Sequence, residues 1–229
     1  MKGKATDTQN IYETLRDEIM YLQLTPGESI SETEIGKRFA VSRTPVREVF
    51  KRLEQDGLVE VRPQRGTFVT CIDLAALYDM LFVREAIEVA VLRELCTRMN
   101  ENALLKLKLL LLDQQRLLEA ELPQPEFVRA FLEADNLFHE TLFVLAGRDG
   151  VWELQAAQRP HYNRFRMLND SLNDHMAQTI YQRHQDLVEA LSCQDLKQIA
   201  ALSSQHMYNR VDNITAILRA FPGYFITGR

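Results

Sequence analysis

Cysteines and long apolar runs are both scarce in this chain of 229 residues. Cys71, Cys96 and Cys193 are too few and too scattered for a disulfide framework or a zinc finger, so we expect all three to be buried as small apolar side chains. The Leu-rich run at 104–112 contains two lysines and is too short to span a membrane. The first ten residues, MKGKATDTQN, lack the apolar segment of a signal peptide. These absences predict a cytoplasmic protein.

The motifs of several enzyme classes are also missing. The chain contains no Gly-rich phosphate loop, no Gly-x-Ser-x-Gly elbow and no Rossmann fingerprint. His139 and Glu140 begin like the zinc-protease motif His-Glu-x-x-His, but the second histidine is replaced by Phe143. We therefore predict no catalytic residues and no enzymatic activity.

Positive charge is concentrated in one short segment. Net charge is −5, but residues 35–70 hold eight Lys/Arg against four Asp/Glu, whereas residues 71–229 hold sixteen against twenty-one. The length of the chain is enough for two small domains. A basic module on an acidic body directs one face of a protein toward DNA. The charge distribution therefore favours nucleic-acid binding by one part of the chain.

Two short helices are predicted around the start of this basic segment. Ser31 and Glu34 form the Ser-x-x-Glu pattern of a capping box, which predicts a helix over 32–39. Ser42 is suited to cap a second helix, which should end just before Gly57 because glycine is a common C-terminal stop. The two helices and the short connection between them have the outline of a helix-turn-helix.

The second helix has one apolar and one cationic face. Its apolar residues recur at the i, i+3, i+4, i+7 spacing of a single buried stripe: Val46, Val49, Phe50 and Leu53. Arg43, Arg47 and Lys51 follow one another at intervals of four and form a neighbouring stripe. A cationic helix of this length fits the major groove, where Arg reads guanine or binds phosphate. Thr44, near the exposed N-terminus of the helix, is a further candidate for a contact with phosphate or base.

A β-hairpin with a basic tip follows. Strands are predicted over 58–62 and 67–70, and Pro63-Gln64-Arg65-Gly66 supplies the turn. A charged helical stripe alone is more often an ordinary solvated surface. Here the stripe, the capped turn and the hairpin occur together within residues 31–70, with Arg65 placed to meet the DNA backbone or the minor groove. Together they predict a winged helix-turn-helix that binds DNA.

Residues 8–70 resemble the DNA-binding domain of the GntR family of bacterial transcription regulators. The segments SRTPVREVFKRLEQDGLVEVRPQRGTFV and TPGESISETEIGKRFAV carry the resemblance. The alanine that usually follows Val-Arg-Glu is Val49 here, and it stays apolar on the buried stripe. The resemblance implies double-stranded operator DNA as a partner, and it implies DNA contacts at Ser42, Arg43, Thr44, Arg47, Arg65 and Gly66.

The rest of the chain has a helical pattern. A first helix over 8–23 has four apolar residues on its buried face: Ile11, Leu15, Ile19 and Leu22. From residue 73 onward no strand is predicted, and six helices are expected at 73–99, 101–121, 125–146, 150–168, 171–191 and 194–220. We predict a mostly α fold, with a winged helix-turn-helix domain over 1–71 and an all-α bundle of about six helices over 72–229.

One aspartate and three histidines are candidates for a metal site in this bundle. Asp135 and His139 are four residues apart on one predicted helix, so their side chains share a face. His184 and His206 lie on the last two helices, which the turn at 192–195 makes antiparallel. One carboxylate and three imidazoles suit a divalent transition metal. From spacing alone, ordinary core or surface histidines are the more common explanation, because such pairs often occur by chance. A metal-dependent hydrolase using this cluster is the alternative function.

The segments EADNLFHETL, YQRHQDLVEAL and SSQHMYNRV resemble the metal-bearing segments of the FCD domain, and FVREAIEVAVLREL resembles its first helix. This is the effector-binding domain of the FadR subfamily of GntR regulators, and six helices suggest its shorter, VanR-like variant. The resemblance implies metal ligands at Asp135, His139, His184 and His206.

The same resemblance implies a small organic acid as effector, a homodimer, and repression as the commoner mode of regulation. Arg84 is the first candidate for effector binding, and Arg164 and Arg166 are weaker candidates that would otherwise form ion pairs. Zn²⁺ is the first choice of metal, with Ni²⁺ and Mn²⁺ as alternatives, because all three accept imidazole and carboxylate ligands. The sequence therefore predicts a metal-containing, ligand-responsive transcription regulator.

Overall fold

The computed structural model describes residues 2–155, 159–173, 175–208 and 211–226. Within these residues the chain forms eleven helices and five short strands. An N-terminal winged helix-turn-helix is followed by a helical bundle, so the predicted mostly α fold is confirmed. None of the helices in the described ranges is long and apolar enough to cross a membrane.

Three helices and a three-stranded sheet make up the N-terminal part. The helices are α1 (Lys2–Met20), α2 (Glu32–Arg38) and α3 (Arg43–Gln55). The strands are β1 (Ser29–Ile30), β2 (Val59–Arg62) and β3 (Gly66–Val69), paired antiparallel in the order β1-β3-β2. Strand β1 was not predicted, because a two-residue strand is too short to show an alternating pattern.

Local sequence explains the boundaries of these elements. The Ser31 side chain accepts a hydrogen bond from Thr33 N and caps α2 as predicted. Ser42 occupies the N-cap position of α3 but makes no side-chain capping bond, so its predicted capping role is wrong. Gly57 ends α3 and Gly66 follows the wing turn, with φ of 68° and 111°, in a region that favours glycine.

The core of the N-terminal part joins α1 to α3. The predicted stripe of α3 is buried against Ile11, Leu15 and Ile19 of α1. Leu22, predicted on the same face of α1, lies beyond the end of the helix at a φ of 60°. It packs instead against apolar side chains of the C-terminal part. The segment after α1 therefore contributes to the contact between the two parts of the molecule.

The C-terminal part contains eight helices in the described residues. They are α4 (Leu74–Arg98), α5 (Glu101–Glu119), α6 (Gln124–Leu145), α7 (Asp149–Leu154), α8 (Arg159–Leu172), α9 (Met176–Ser192), α10 (Leu196–Tyr208) and α11 (Ile214–Ala220). Two of the six predicted helices are each divided, the fourth into α7 and α8 and the last into α10 and α11. The helix count therefore lends no support to the expected resemblance to the shorter variant.

A parallel pair of two-residue strands lies where the two parts join. Strand β4 (Ile72–Asp73) pairs with β5 (Phe225–Ile226), although no strand was predicted beyond residue 72. Ile72 N donates to Tyr224 O at 2.8 Å, and the Cys71 thiol donates to Gly223 O at 3.5 Å. The segment at 223–226 is thus hydrogen-bonded to the connection between the wing and α4.

The cysteines differ from one another in exposure. Cys96 is buried in the bundle core, as predicted, but Cys71 is half-buried and Cys193 is exposed at the C-cap of α9. The prediction that all three are buried is therefore wrong for two of them. Burial raises the pKa of the Cys96 thiol, which keeps it in the neutral form.

Candidate functional site

The predicted DNA-contacting side chains of α3 lie on the surface. Ser42, Arg43, Thr44 and Arg47 are exposed, whereas the apolar stripe of the same helix is buried. Arg47 Nε donates to Glu32 Oε2 at 2.9 Å, with 63% of the arginine side chain exposed. An exposed ion pair of this kind contributes little stability, so phosphate or a base edge can replace Glu32 at small cost.

The wing presents its turn to solvent. Arg65 is exposed in the turn, and Gly66, which pairs with Arg62 at the end of the hairpin, is exposed as well. Behind the tip, the guanidinium carbon of Arg62 lies 4.5 Å from the centre of the Phe68 ring. The same guanidinium group forms an ion pair with Glu60. The structure thus leaves the six predicted DNA-contacting residues accessible on the helix and on the hairpin.

The four predicted metal ligands converge inside the helical bundle. Asp135 and His139 project from α6, His184 from α9 and His206 from α10, and all four are buried. One potential ligand atom from each residue lies within 4.8 Å of the others. His139 Nε2 and His206 Nε2 are 2.9 Å apart, and His184 Nε2 is 3.5 Å from Asp135 Oδ1. Spacing along the sequence could not establish this convergence, because it depends on how three helices pack.

Two buried side chains that the sequence analysis missed orient the imidazoles. Glu88 Oε1, on α4, lies 3.0 Å from His139 Nδ1. Gln114 Oε1, on α5, lies 2.9 Å from His184 Nδ1, and its Nε2 donates to Ala134 O. An acceptor at Nδ1 holds the ring proton there and leaves Nε2 free to bind a metal, as is common in metal-binding histidines.

The role of Glu88 could have been suspected from the sequence of α4. The residue lies four positions after Arg84, within the buried stripe that includes Leu81, Leu92 and Leu95. A carboxylate on an apolar helical face needs a partner inside the protein. Burial opposes ionisation of Glu88, but the neighbouring His139 and Arg84 outweigh it and hold the pKa of the carboxyl below its ordinary value. Glu88 is therefore negatively charged beside the cluster.

Two of the three candidate effector arginines border the cluster. Arg84 Nε donates to Glu88 Oε2 at 3.3 Å, and Arg166 donates to Asp135 Oδ2. Arg166 also donates to Asn136 Oδ1 at 2.6 Å and to Asn163 Oδ1 at 3.1 Å. Both guanidinium groups are buried and lie beside the Tyr162 ring, 5.1 and 5.2 Å from its centre.

Arg164 points away from the cluster. It donates to Thr70 O at 2.6 Å and to Thr70 Oγ1 at 3.2 Å, in the connection after the wing. Burial lowers its pKa to about 10. His161 Nδ1 accepts from Asp73 N at 3.1 Å, and His175 is exposed at the start of α9. These three residues therefore lie outside the set of potential ligands.

The chemistry of the donor set fits a divalent transition metal. Three imidazole nitrogens and one carboxylate oxygen are nitrogen and oxygen donors of the kind that zinc accepts. Their burial excludes competing water, and Glu88 and Gln114 orient two of the rings. A metal bound here would act as a Lewis acid toward an anionic ligand.

Comparisons with known proteins cover nearly the whole chain. Residues 7–69 match the family described as "Bacterial regulatory proteins, gntR family", and residues 79–209 match the FCD domain. The HTH-type transcriptional repressor RspR of Escherichia coli (strain K12) is 30% identical over 219 residues, which are 95% of this chain and 92% of that protein. An uncharacterized HTH-type regulator in an unstable DNA locus of Streptomyces ambofaciens is 32% identical over 223 residues, 97% of this chain and 91% of that one.

A solved structure shows the same fold. The structure of a GntR transcriptional regulator from Rhodococcus sp. RHA1 matches with a TM-score of 0.71 over 94% of this chain and 99% of that one, at 23% identity. The similarity extends over both the winged and the helical part.

Proposed function

The chain belongs to the GntR family of bacterial regulatory proteins and carries an FCD domain, and from this membership we propose that it is a repressor whose effector binds at a metal in the helical bundle. Such a protein is a ligand-responsive, DNA-binding transcription regulator. The relative RspR is named a repressor, which supports repression here. Because its operator lies on bacterial DNA, we propose that it acts in the cytoplasm, with a DNA-binding domain over 1–71 and an effector domain over 72–229.

We assign the metal to Asp135, His139, His184 and His206, and the observation that carries the assignment is their buried convergence. Zn²⁺ is the preferred ion because it binds imidazole and carboxylate without a demanding geometry, and Ni²⁺ and Mn²⁺ are the alternatives. When bound, the ion supplies positive charge and coordination positions for an anion. The protein supplies the orientation of the ligands through Glu88 and Gln114.

The proposed effector is a small carboxylic acid. Arg84 and Arg166 place two guanidinium groups beside the cluster, on a shared aromatic neighbour, Tyr162. One carboxylate oxygen can coordinate the metal while an arginine binds the other oxygen in a charge-assisted hydrogen bond. An incoming carboxylate would also compete with Asp135 and Glu88 for these arginines. Because Arg166 lies on α8 and Asp135 on α6, competition for Arg166 gives ligand binding a direct effect on a contact between two helices.

A homodimer would place two α3 helices on two operator half-sites. One face of α4 carries exposed apolar side chains, Tyr78, Phe82 and Val83, and Phe82 is 68% exposed. Ala75, Ala86 and Ala90 are exposed on the same helix and would let a second helix approach closely. We propose this face of α4 as part of the contact between two copies of the chain.

The metal and effector assignments are tested by a thermal-shift screen. Zn²⁺-loaded wild-type protein is heated with a set of small carboxylic acids, because a ligand that binds the native state raises Tm by mass action. The variant His139→Ala with His184→Ala should hold no zinc by elemental analysis and should show no acid-dependent shift. His175→Ala, at an exposed histidine outside the cluster, is the matched control. Full zinc occupancy of the double variant would rule out the assigned site.

A further inference from the structure

Helix α8 contacts the Asp135, His139, His184 and His206 cluster through one arginine. It contacts the connection after the wing through another. Arg166 binds the cluster residue Asp135, and Arg164 binds Thr70. Residues two apart on a helix lie on roughly opposite sides. Both arginines are buried with 0% exposure, so both contacts are made inside the protein.

Thr70 links Arg164 to the end of α3, the helix proposed to enter the major groove of the operator. Its hydroxyl donates to Gly57 O at 2.7 Å and lies 3.2 Å from Leu58 O, and its own N–H donates to Leu58 O at 3.0 Å. Gly57 and Leu58 follow α3 directly. A displacement of Thr70 therefore acts on the C-terminal end of α3 through the hydroxyl bond to Gly57 O and the backbone bond to Leu58 O.

Arg164 is a buried cation that hydrogen bonds across the junction rather than forming an ion pair. Within the described ranges, no carboxylate lies within ion-pair distance of its guanidinium, which donates only to Thr70 and to Pro160 O. Burying an uncompensated charge is costly, and hydrogen bonds to oxygen offset that cost only while they are made. The contact is thus sensitive to the relative position of α8 and Thr70.

The surroundings leave room for that position to change. A cavity of about 900 Å³ lies between the two parts, and its lining includes Gly57 and Leu58 from the N-terminal part and Asn136 and Asn163 from the helical part. Those two asparagines accept hydrogen bonds from Arg166. The partners of Arg166 and the end of α3 therefore face the same cavity.

We propose that Arg164 couples the Asp/His cluster to α3. It does so by transmitting a displacement of α8 to Thr70 and to the end of α3. The inference rests on the proposed effector function of the cluster. A metal or anion that changes the Asp135–Arg166 contact shifts α8, and Arg164 converts the shift into a different placement of α3. Arg164 is a positioning residue in this scheme and touches neither metal nor effector.

Hydrogen exchange of the full chain, measured by mass spectrometry, tests the coupling. In metal-free protein, Arg164→Gln should speed exchange of backbone amides at 57–72 by about tenfold or more, the size expected for losing a hydrogen bond to a charged donor. Amides of α5 should stay within about twofold. Arg148→Gln, which removes an exposed arginine paired with Glu94, is the control for loss of charge. Thr70→Val, compared with Thr70→Ser, provides a second test if Arg164→Gln does not fold.

A second arm measures the coupling itself. Zn²⁺ alone should change exchange at 57–72 in wild type and leave it unchanged in Arg164→Gln, while the zinc affinity of the variant stays within about threefold. The change should be smaller in Thr70→Val than in wild type, because that variant loses the hydroxyl and keeps the bond from Arg164 to the backbone oxygen. In metal-free protein, Asp135→Asn should likewise alter exchange at 57–72. It should have no such effect in a chain that also carries Arg164→Gln. Equal responses with and without that contact would overturn the inference. Failure of wild type to bind Zn²⁺ would instead overturn the proposed metal site, and the metal-free comparison would still decide the role of Arg164.

Discussion

The substitution Glu88→Gln examines whether the carboxylate behind His139 strengthens metal binding. Glu88 Oε1 lies 3.0 Å from His139 Nδ1, and the side chain is completely buried. The change preserves shape and removes one negative charge. It also offers an amide N–H₂ that can face Nδ1 and favour the wrong tautomer, with the proton on Nε2. Both effects weaken His139 as a ligand.

The expected loss is about 10- to 100-fold in zinc affinity, the range found when an acceptor behind a metal-bound histidine is removed. At about 1.4 kcal/mol for each factor of ten, this is about 1.4 to 3 kcal/mol of binding free energy. The loss should be smaller than that of Asp135→Ala, which removes a ligand outright. The affinity is measured by competition with a chromophoric chelator at fixed pH and ionic strength.

The control is Glu94→Gln on the same helix. Glu94 pairs with Arg98 and Arg148, away from the cluster, so the same change of charge should leave zinc affinity within about twofold. If Glu88→Gln bound zinc as tightly as wild type while Asp135→Ala lost it, the carboxylate would have no part in setting the tautomer. Unfolding curves of the metal-free variants separate a loss of affinity from a loss of fold.

Four further results are expected. Gln114→Leu removes the acceptor at His184 Nδ1 and should weaken zinc binding by about tenfold, whereas Gln114→Glu should bind at least as well as wild type in the same chelator assay. Arg47→Ala should weaken binding to an operator obtained by selection from random duplex DNA by about 10- to 100-fold, with an unchanged circular dichroism spectrum; equal affinity by fluorescence anisotropy would contradict the assignment of α3. Burial, aided by the charge of Arg164, holds the pKa of His161 down to about 4. As pH falls, the unfolded chain therefore takes up this proton first, and the free energy of unfolding should decrease as pH drops from about 6.5 toward 4. Urea unfolding across that range should show a smaller decrease for His161→Gln. Phe82→Asp should convert a dimer into a monomer in light scattering without loss of zinc, and an unchanged mass would exclude the exposed face of α4 from the contact.

The parts of the molecule that the sequence predicted are those with a strong local pattern. The apolar stripe of α3 is buried as its spacing requires, and the cationic stripe remains exposed. Spacing left the proposed ligand set open, and the resemblance to the FCD domain pointed to these four residues. For α3, a few residues within four helical turns carry most of the information.

The features that the sequence did not reveal depend on contacts between distant segments. Glu88 and Gln114 gain their roles only because α4 and α5 pack beside α6 and α9. The apolar face around Glu88 indicates that this carboxylate needs a partner inside the protein, but it does not identify His139 as that partner. The strands β1, β4 and β5 are each two residues long and have no periodicity to detect. Arg164 was considered as an effector ligand, but packing turns it toward Thr70 instead.

The pairing of β4 with β5 also bears on how the chain acquires its structure. Cys71 and Gly223, which are hydrogen-bonded at this pairing, are 152 residues apart along the chain. Contacts between such distant residues form slowly, because a long loop must close before they gain any energy. During synthesis the winged segment emerges first and has the local contacts to fold on the ribosome. We expect the β4–β5 pair to form only after the bundle is complete, so a nascent chain would acquire its DNA-binding surface before its junction with the bundle.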